Sequence, residues 1–169
     1  MVIVVMGVSG SGKSALGEAL ARAEGWAFQE GDALHPAANL DKMRMGIPLD
    51  DGDRWPWLDR VTAWIADQLR QDRHGVVACS ALKRSYRQRL RRAGADVRFV
   101  RIRVPHDELQ RRLQQRDHFM PAALLDSQLQ TLEEPAADEG VLTLCGCNTP
   151  EHMLAAVRRW LDRRDSPAG

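Results

Sequence analysis

The sequence predicts an α/β fold in which a parallel sheet lies between layers of helices, and three observations lead there. Short apolar runs without alternation, such as Val2-Ile3-Val4-Val5-Met6 and Val76-Val77-Ala78-Cys79, are what strands buried on both faces require. Between such runs apolar residues return at helical spacing, so strand and helix alternate along the chain. The first run leads directly into a glycine-rich turn, and a helical pattern follows at once.

That turn, Gly7-Val8-Ser9-Gly10-Ser11-Gly12-Lys13-Ser14, matches G-x-x-x-x-G-K-[ST] in full. Its glycines let backbone N–H groups turn inward, and with the N-terminus of the next helix they form a concave anion site. Residues 7–14 are therefore expected to bind ATP, Lys13 reaching the β- and γ-phosphates and the Ser14 hydroxyl holding Mg²⁺. Gly10-x-Gly12-x-x-Ala15, with Asp32 about 20 residues on, also fits a dinucleotide fingerprint. Lys13-Ser14 decides against it, because a dinucleotide pyrophosphate lies on bare backbone whereas a triphosphate with its metal uses a lysine and a hydroxyl. The expected architecture is a P-loop NTPase three-layer sandwich with a five-stranded parallel sheet and a helical lid, a single domain over residues 1–169.

Leu16, Ala19, Leu20 and Ala23 give the first helix an apolar face, and Gly25 closes it. Trp26-Ala27-Phe28-Gln29 reads as a short strand that delivers Glu30-Gly31-Asp32 to the carboxyl edge of the sheet, where open α/β folds place their ligands. Asp32 then faces the γ-phosphate held by Lys13. Residues 32–57 are polar and turn-rich, but Leu34, Leu40, Met43, Ile47, Leu49 and two tryptophans are interspersed, so the stretch reads as a folded substrate-binding insert. Its donors from His35 to Arg54 suit a polyhydroxylated anion. Asp53 is as good a candidate for capping the next helix, with Pro56 in its first turn, as for a functional role. Asp50 and Asp51 are expected to face solvent.

Leu58, Val61, Ile65 and Leu69 mark a helix ending near His74-Gly75. The third strand runs into Ser80-Ala81-Leu82-Lys83, which brings a hydroxyl and an ammonium to the ligand edge. No aspartate stands where a Walker B acid would be, so the metal falls to Ser14, phosphates and water, with Asp32 behind them. The next helix, residues 84–93, carries five arginines. With no aromatic interleaving beyond Tyr86 it reads as a solvated face rather than a nucleic-acid patch, Arg87 alone being placed to look back at the substrate. Residues 98–104 alternate as a fourth strand that Pro105 ends. Two helical stretches over residues 106–132, with Arg112 and Arg116 on one face, make a lid whose closure excludes water and brings guanidinium groups to the transferring phosphoryl. Residues 141–145 are the fifth strand, and Met153, Leu154, Val157, Trp160 and Leu161 are the inner face of the last helix.

The totals exclude other classes. With 24 basic and 23 acidic residues the net charge is +1, which points to neither a nucleic-acid nor a membrane partner. The apolar run before the phosphate loop is too short for a signal peptide or a membrane span, so a soluble, cytoplasmic protein is expected. Cys79, Cys145 and Cys147 are an odd number of cysteines and read as reduced, buried thiols. Cys145-x-Cys147 with His152 lacks the second pair of a metal site.

Taken together, Gly7 to Ser14, Gly31-Asp32-x-x-His35-Pro36-x-x-Asn39, Lys42-Met43-x-x-Gly46-x-Pro48-Leu49, Asp51-x-Asp53-Arg54-x-Pro56-Trp57-Leu58, Cys79-Ser80-Ala81-Leu82-Lys83-x-x-Tyr86-Arg87 and His118-Phe119-Met120 resemble the gluconate kinases. These are small P-loop enzymes related to shikimate and nucleoside monophosphate kinases. The resemblance covers nearly the whole chain in order. It implies transfer of the γ-phosphoryl of ATP to the 6-hydroxyl of D-gluconate by a homodimer with a mobile lid. It makes Asp32 the candidate base, and His35, Asn39, Arg54, Ser80 and Lys83 candidate substrate contacts. The chain departs from the family pattern at Arg116-Asp117-His118, one residue shorter than Arg-x-Gly-His and without its glycine.

Overall fold

The most apolar stretch of the chain becomes the centre of the sheet. The computed structural model describes residues 1–115 and 122–165, the side chains at 122, 123, 164 and 165 excepted. Within it β1 (Val2–Met6) is flanked by β3 (Gly75–Ala78) and β4 (Val97–Arg103), with β2 (Ala27–Glu30) and β5 (Leu142–Cys145) at the edges, in the order β2-β3-β1-β4-β5. All pairings are parallel, Val4 lying opposite Val77 on one side and Phe99 on the other. Every residue of β1 is fully buried, which requires cover on both faces. That cover includes α1 (Lys13–Glu24) and α3 (Asp51–Arg70), which pack against β1; the other helices are α2 (Ala37–Arg44), α4 (Arg84–Arg91), α5 (His106–Gln114), α6 (Ala122–Thr131) and α7 (Pro150–Asp165), with α1 packed on α7 and α3 on α4. The α/β sandwich with a five-stranded parallel sheet is thus the fold the sequence predicts. Among the described residues no helix is long and apolar enough to cross a membrane.

Three expectations are revised or extended here. The third helix begins at Asp51, seven residues before its apolar periodicity, and Asp50 rather than Asp53 is its cap. The Asp50 carboxylate accepts from the Asp53 N–H at 2.8 Å, and the Asp53 carboxylate accepts from the Asp50 N–H at 3.0 Å, a reciprocal box that fixes the first turn. Pro56 consequently lies inside α3, past its first turn. Asp50 and Asp51 are exposed, as expected, but Asp51 also accepts from Lys83 Nζ at 2.8 Å and from the Tyr86 hydroxyl.

The arginine-rich helix α4 has the solvated face expected of it, with Arg84 and, just past its end, Arg92 exposed, but several of its arginines also form a clamp. The Arg84 N–H and guanidinium hold Glu133 and Asp138, Arg91 donates to the Glu139 carbonyl, and Arg87 forms a two-pronged pair with Glu139 at 2.6 and 2.9 Å. From β4, Arg101 holds Glu134. The connection from α6 to β5 over residues 133–139 is thereby tied down by side chains from two elements. The third concerns the thiols: Cys79 is buried, but Cys145 and Cys147 are exposed.

Candidate active site

The phosphate loop is shaped by three glycines with positive φ, of which Gly7 is the most constrained. A Cβ there would stand 2.8 Å from both the Ile102 carbonyl oxygen and Ser11 Oγ, so no other residue fits. Lys13, the first residue of α1, folds back to donate to the Val8 carbonyl at 3.0 Å. Gly12 leaves the helix start without a side-chain cap, which keeps its N–H groups for an anion. Ser11 Oγ is buried with no partner among the described residues, as a group awaiting a phosphate oxygen would be.

The second wall comes from the end of β2. Gly31 approaches β3 so closely that a Cβ would lie 2.2 Å from the Ala78 carbonyl oxygen, and this contact sets Asp32 beside the end of β3. Trp57, buried in α3, donates from Nε1 to the Gly31 carbonyl at 2.8 Å and stacks on His35 with ring centroids 4.2 Å apart. From α2, Asn39 is fully engaged: its Nδ2 donates to the Asp53 carbonyl at 2.8 Å and meets His35 Nδ1 at 3.1 Å. A carbonyl can only accept, so the Asn39 amide is oriented, His35 Nδ1 must be the acceptor, and the ring proton sits on Nε2. That Nε2–H lies 3.8 Å from Asp32 Oδ1, too far for a hydrogen bond but on the same side. Burial, with Arg54 acting the same way and Asp32 opposing, takes His35 from the ordinary 6.5 down to about 4, so the ring is neutral at neutral pH.

The third wall follows β3. Ala81 is held at φ 44, a strained conformation for a non-glycine residue. The Arg87 guanidinium secures it by donating to the carbonyls of Ala81, Leu82 and Glu133 at 3.1–3.2 Å. Arg87 is fully buried, so its expected reach to a substrate is corrected: its guanidinium supports the turn that carries Ser80 and Lys83. The fourth wall is α6, whose Gln128 takes the Ser9 N–H at 2.7 Å and returns a bond to Ser9 Oγ at 3.1 Å.

One cavity results, lined by Ser9, Lys13, Asp32, His35, Arg54, Trp57 and Ser80, with Met43, Pro48, Leu49, Leu124, Ser127 and Gln128 completing it. It joins the phosphate loop to Asp32 and to a largely buried arginine, Arg54, which donates from Nε to the Leu49 carbonyl at 3.2 Å. Lys83 lies outside it. With Asp51 and Tyr86 it lines a separate open depression that shares only Leu49 with the main cavity. Asn39 is behind the wall, supporting His35. Arg112 is paired with Glu108 at 2.7 Å and with the Gly146 carbonyl at 2.7 Å, while Arg116 and the His118-Phe119-Met120 motif lie outside the described residues. Sequence reasoning passed over Trp57 and Gln128. Placing the helix start at Asp51 would have put Arg54 and Trp57 one turn apart on a single face; Gln128 gave no signal of its own.

The groups present fit a metal-bound nucleoside triphosphate. Lys13, the orphaned Ser11 hydroxyl and the Ser14 hydroxyl are on the loop, and the Asp32 carboxylate lines the same cavity as Lys13. The end of β3 supplies a thiol and a hydroxyl but no acid, so protein ligation of the metal would be sparse, as suits Mg²⁺ held mainly by phosphates and water.

Comparison with known proteins agrees with this geometry. A family model described as an AAA domain matches residues 2–135. The gluconokinase of Gluconobacter oxydans (strain 621H) is 49% identical over 164 residues, which are 96% of this chain and 92% of that protein. The crystal structure of a gluconokinase from Sinorhizobium meliloti 1021 superposes with a TM-score of 0.81 at 44% identity, covering 97% of each chain. The unliganded structure of a sugar kinase from Janibacter sp. HTCC2649 gives 0.90 at 41% identity, over 95% of this chain and 94% of that one. A relative nearly half identical over almost the full length of both chains, with the same fold, settles the relationship: this chain belongs to the gluconokinase family.

Proposed function

We propose that the protein transfers the γ-phosphoryl of ATP to the 6-hydroxyl of D-gluconate, giving 6-phospho-D-gluconate and ADP. The observation that carries this reading is the single cavity in which Lys13 of the phosphate loop, Asp32, neutral His35 and buried Arg54 meet. A triphosphate on the loop and a polyhydroxylated acid on the opposite wall would present a hydroxyl to the γ-phosphorus. The names of the relatives support gluconate as that acid.

In this mechanism the backbone N–H groups of residues 7–14 and the Lys13 ammonium hold the β- and γ-phosphates. Mg²⁺, when bound at Ser14, neutralises charge on those phosphates. Asp32 orients the attacking hydroxyl and accepts its proton as the phosphoryl departs; because the transition state is loose, orientation is the larger part of that role. His35 donates from Nε2 to a substrate hydroxyl, and Arg54 pairs with the carboxylate. Ser80 contributes a hydroxyl from the β3 wall, and Arg112 and Arg116 belong to the lid over residues 106–132. Lys83 meets the acid only if it leaves Asp51. The same reading takes residues 1–169 as one kinase domain with its substrate insert at 32–57, working as a cytoplasmic homodimer.

The test is ADP release from Mg-ATP across a panel of D-gluconate, shikimate, glycerate, nucleoside monophosphates and no acceptor. Turnover with D-gluconate far above the rest is expected. Equal ADP release with and without acceptor would overturn the proposal and leave a nucleotide-driven switch.

A further inference from the structure

Cys145 and Cys147 take no part in the cavity, yet their surroundings are built around them. Cys145 is the last residue of β5 and Cys147 the third residue of a turn closed by the Asn148 N–H on the Cys145 carbonyl at 3.1 Å. Both are exposed, and the Cys147 N–H points at Cys145 Sγ at 3.4 Å. The N–H first, then the neighbouring thiol and Arg103, hold Cys145 below the ordinary thiol value, while Cys147 is raised chiefly by its thiol partner. Cys145 therefore has the thiolate character and access of a reactive sulfur, with a resolving thiol beside it. Cys79 is the opposite case, fully buried and pushed up to about 12.

The residue between the two thiols is held on both sides. The Gly146 N–H donates to the Arg103 carbonyl at 2.8 Å, and the Gly146 carbonyl accepts from Arg112 Nη2 at 2.7 Å. The turn packs closely on the end of β4: a Cβ at Gly146 would stand 2.3 Å from Val104 Cγ2. Arg112 belongs to α5, and a Cβ at Gly10 of the phosphate loop would meet Leu113 of that helix at 3.3 Å and Leu109 at 3.6 Å. Closing a bond between the sulfurs contracts the turn and displaces Gly146, the residue whose carbonyl Arg112 holds.

We propose that Cys145 and Cys147 form a hydroperoxide-responsive dithiol whose disulfide breaks the Arg112–Gly146 bond and weakens nucleotide binding through α5. The Cys145 thiolate attacks one peroxide oxygen, the O–O bond breaks, and hydroxide leaves, giving a sulfenic acid. The Cys147 thiolate then attacks that sulfur, the S–S bond forms, and the sulfenic oxygen leaves as hydroxide, which takes up a proton. Two thiols are oxidised and one peroxide is reduced, to water when it is hydrogen peroxide. A disulfide spanning a single residue is strained, so it has a high reduction potential and opens readily to a dithiol reductant.

The effect on nucleotide rests on the kinase reading of the site, whereas the thiol chemistry does not, so the two are read separately. The full chain is treated with hydrogen peroxide, alkylated and mapped by mass spectrometry, and its Kd for Mg-ATP is measured by calorimetry without acceptor. The expected result is loss of two hydrogen atoms from the peptide carrying residues 145–147, with Cys79 unoxidised. The Kd should rise roughly fivefold or more, return with dithiothreitol, and stay unchanged in a doubly substituted Cys145→Ser, Cys147→Ser protein. An unmodified peptide, oxygen added to one sulfur without a disulfide, a disulfide with unchanged Kd, or an equal response in the double variant would each overturn the proposal. If the untreated protein binds no Mg-ATP, the kinase reading fails instead, and the peptide map still decides the thiol chemistry.

Discussion

His35 shows how much chemistry one oriented amide can fix. Because the Asn39 amide is committed to the Asp53 carbonyl, His35 accepts at Nδ1 and donates at Nε2, and burial keeps the ring uncharged. The sign of the consequence for stability is set by the unfolded chain, which takes up the proton at the ordinary 6.5 while the folded chain waits until about 4. The unfolded state binds more protons between those values, so this group's influence makes stability fall as pH falls from 6.5 toward 4. Glu108, held at about 2 by Arg111 and Arg112, acts only below its ordinary 4.5, which leaves the upper window to His35. Thermal scans between pH 6.5 and 4.5 should show a slope that His35→Gln flattens; an unchanged slope would mean that another group titrates there. Lys13→Ala should lower kcat by about 10² or more in steady-state assays, with the fold retained in circular dichroism, since the lysine acts on developing phosphate charge.

At the scale of elements, what the sequence conveys depends on whether a pattern is local. The buried runs of β1 and β3 and the phosphate loop are local, and each is where it is expected. The start of α3 was hidden because its first turns, Asp51 to Trp57, are polar or aromatic; only the Asp50 and Asp53 box marks it, and that needs both residues read together. Cys145 was misplaced because an apolar run means burial on both faces only in a central strand, and β5 is an edge. The clamp made by the arginines of α4 was not legible because its partners, Glu133, Asp138 and Glu139, lie some fifty residues on and composition counts charges without partners. The cavity followed the same division: Lys13, Asp32 and Ser80 sit in short motifs at strand ends, while Gln128 reaches Ser9 across the chain. The buried clamp makes its own prediction. Arg87→Ala leaves the nearly buried Glu139 carboxylate unpaired and should cost about 3–5 kcal/mol in urea unfolding. Arg84→Ala, which breaks an exposed pair with Asp138, should cost about 0–1 kcal/mol; equal losses would remove the distinction.

For the whole molecule, the phosphate loop, the ends of β2 and β3, the stretch from His35 to Trp57 and α6 converge on one cavity, and α6 already touches the phosphate loop. Gln128 occupies the Ser9 N–H, so a phosphate oxygen seeking that donor must displace it. Gln128→Ala should therefore tighten Mg-ATP binding by about fivefold in calorimetry, the worth of one hydrogen bond, whereas weaker binding would make Gln128 a ligand of the nucleotide. In the proposed reaction Asp32 at the end of β2 and Lys13 of the phosphate loop act on the same phosphoryl transfer. The measurement that tests it most directly is kcat of Asp32→Asn with saturating Mg-ATP and D-gluconate. The predicted result is a fall of roughly 10² or more with the melting curve unchanged, in line with the loss of a positioned base. A kcat close to that of the unsubstituted protein would remove Asp32 from the mechanism.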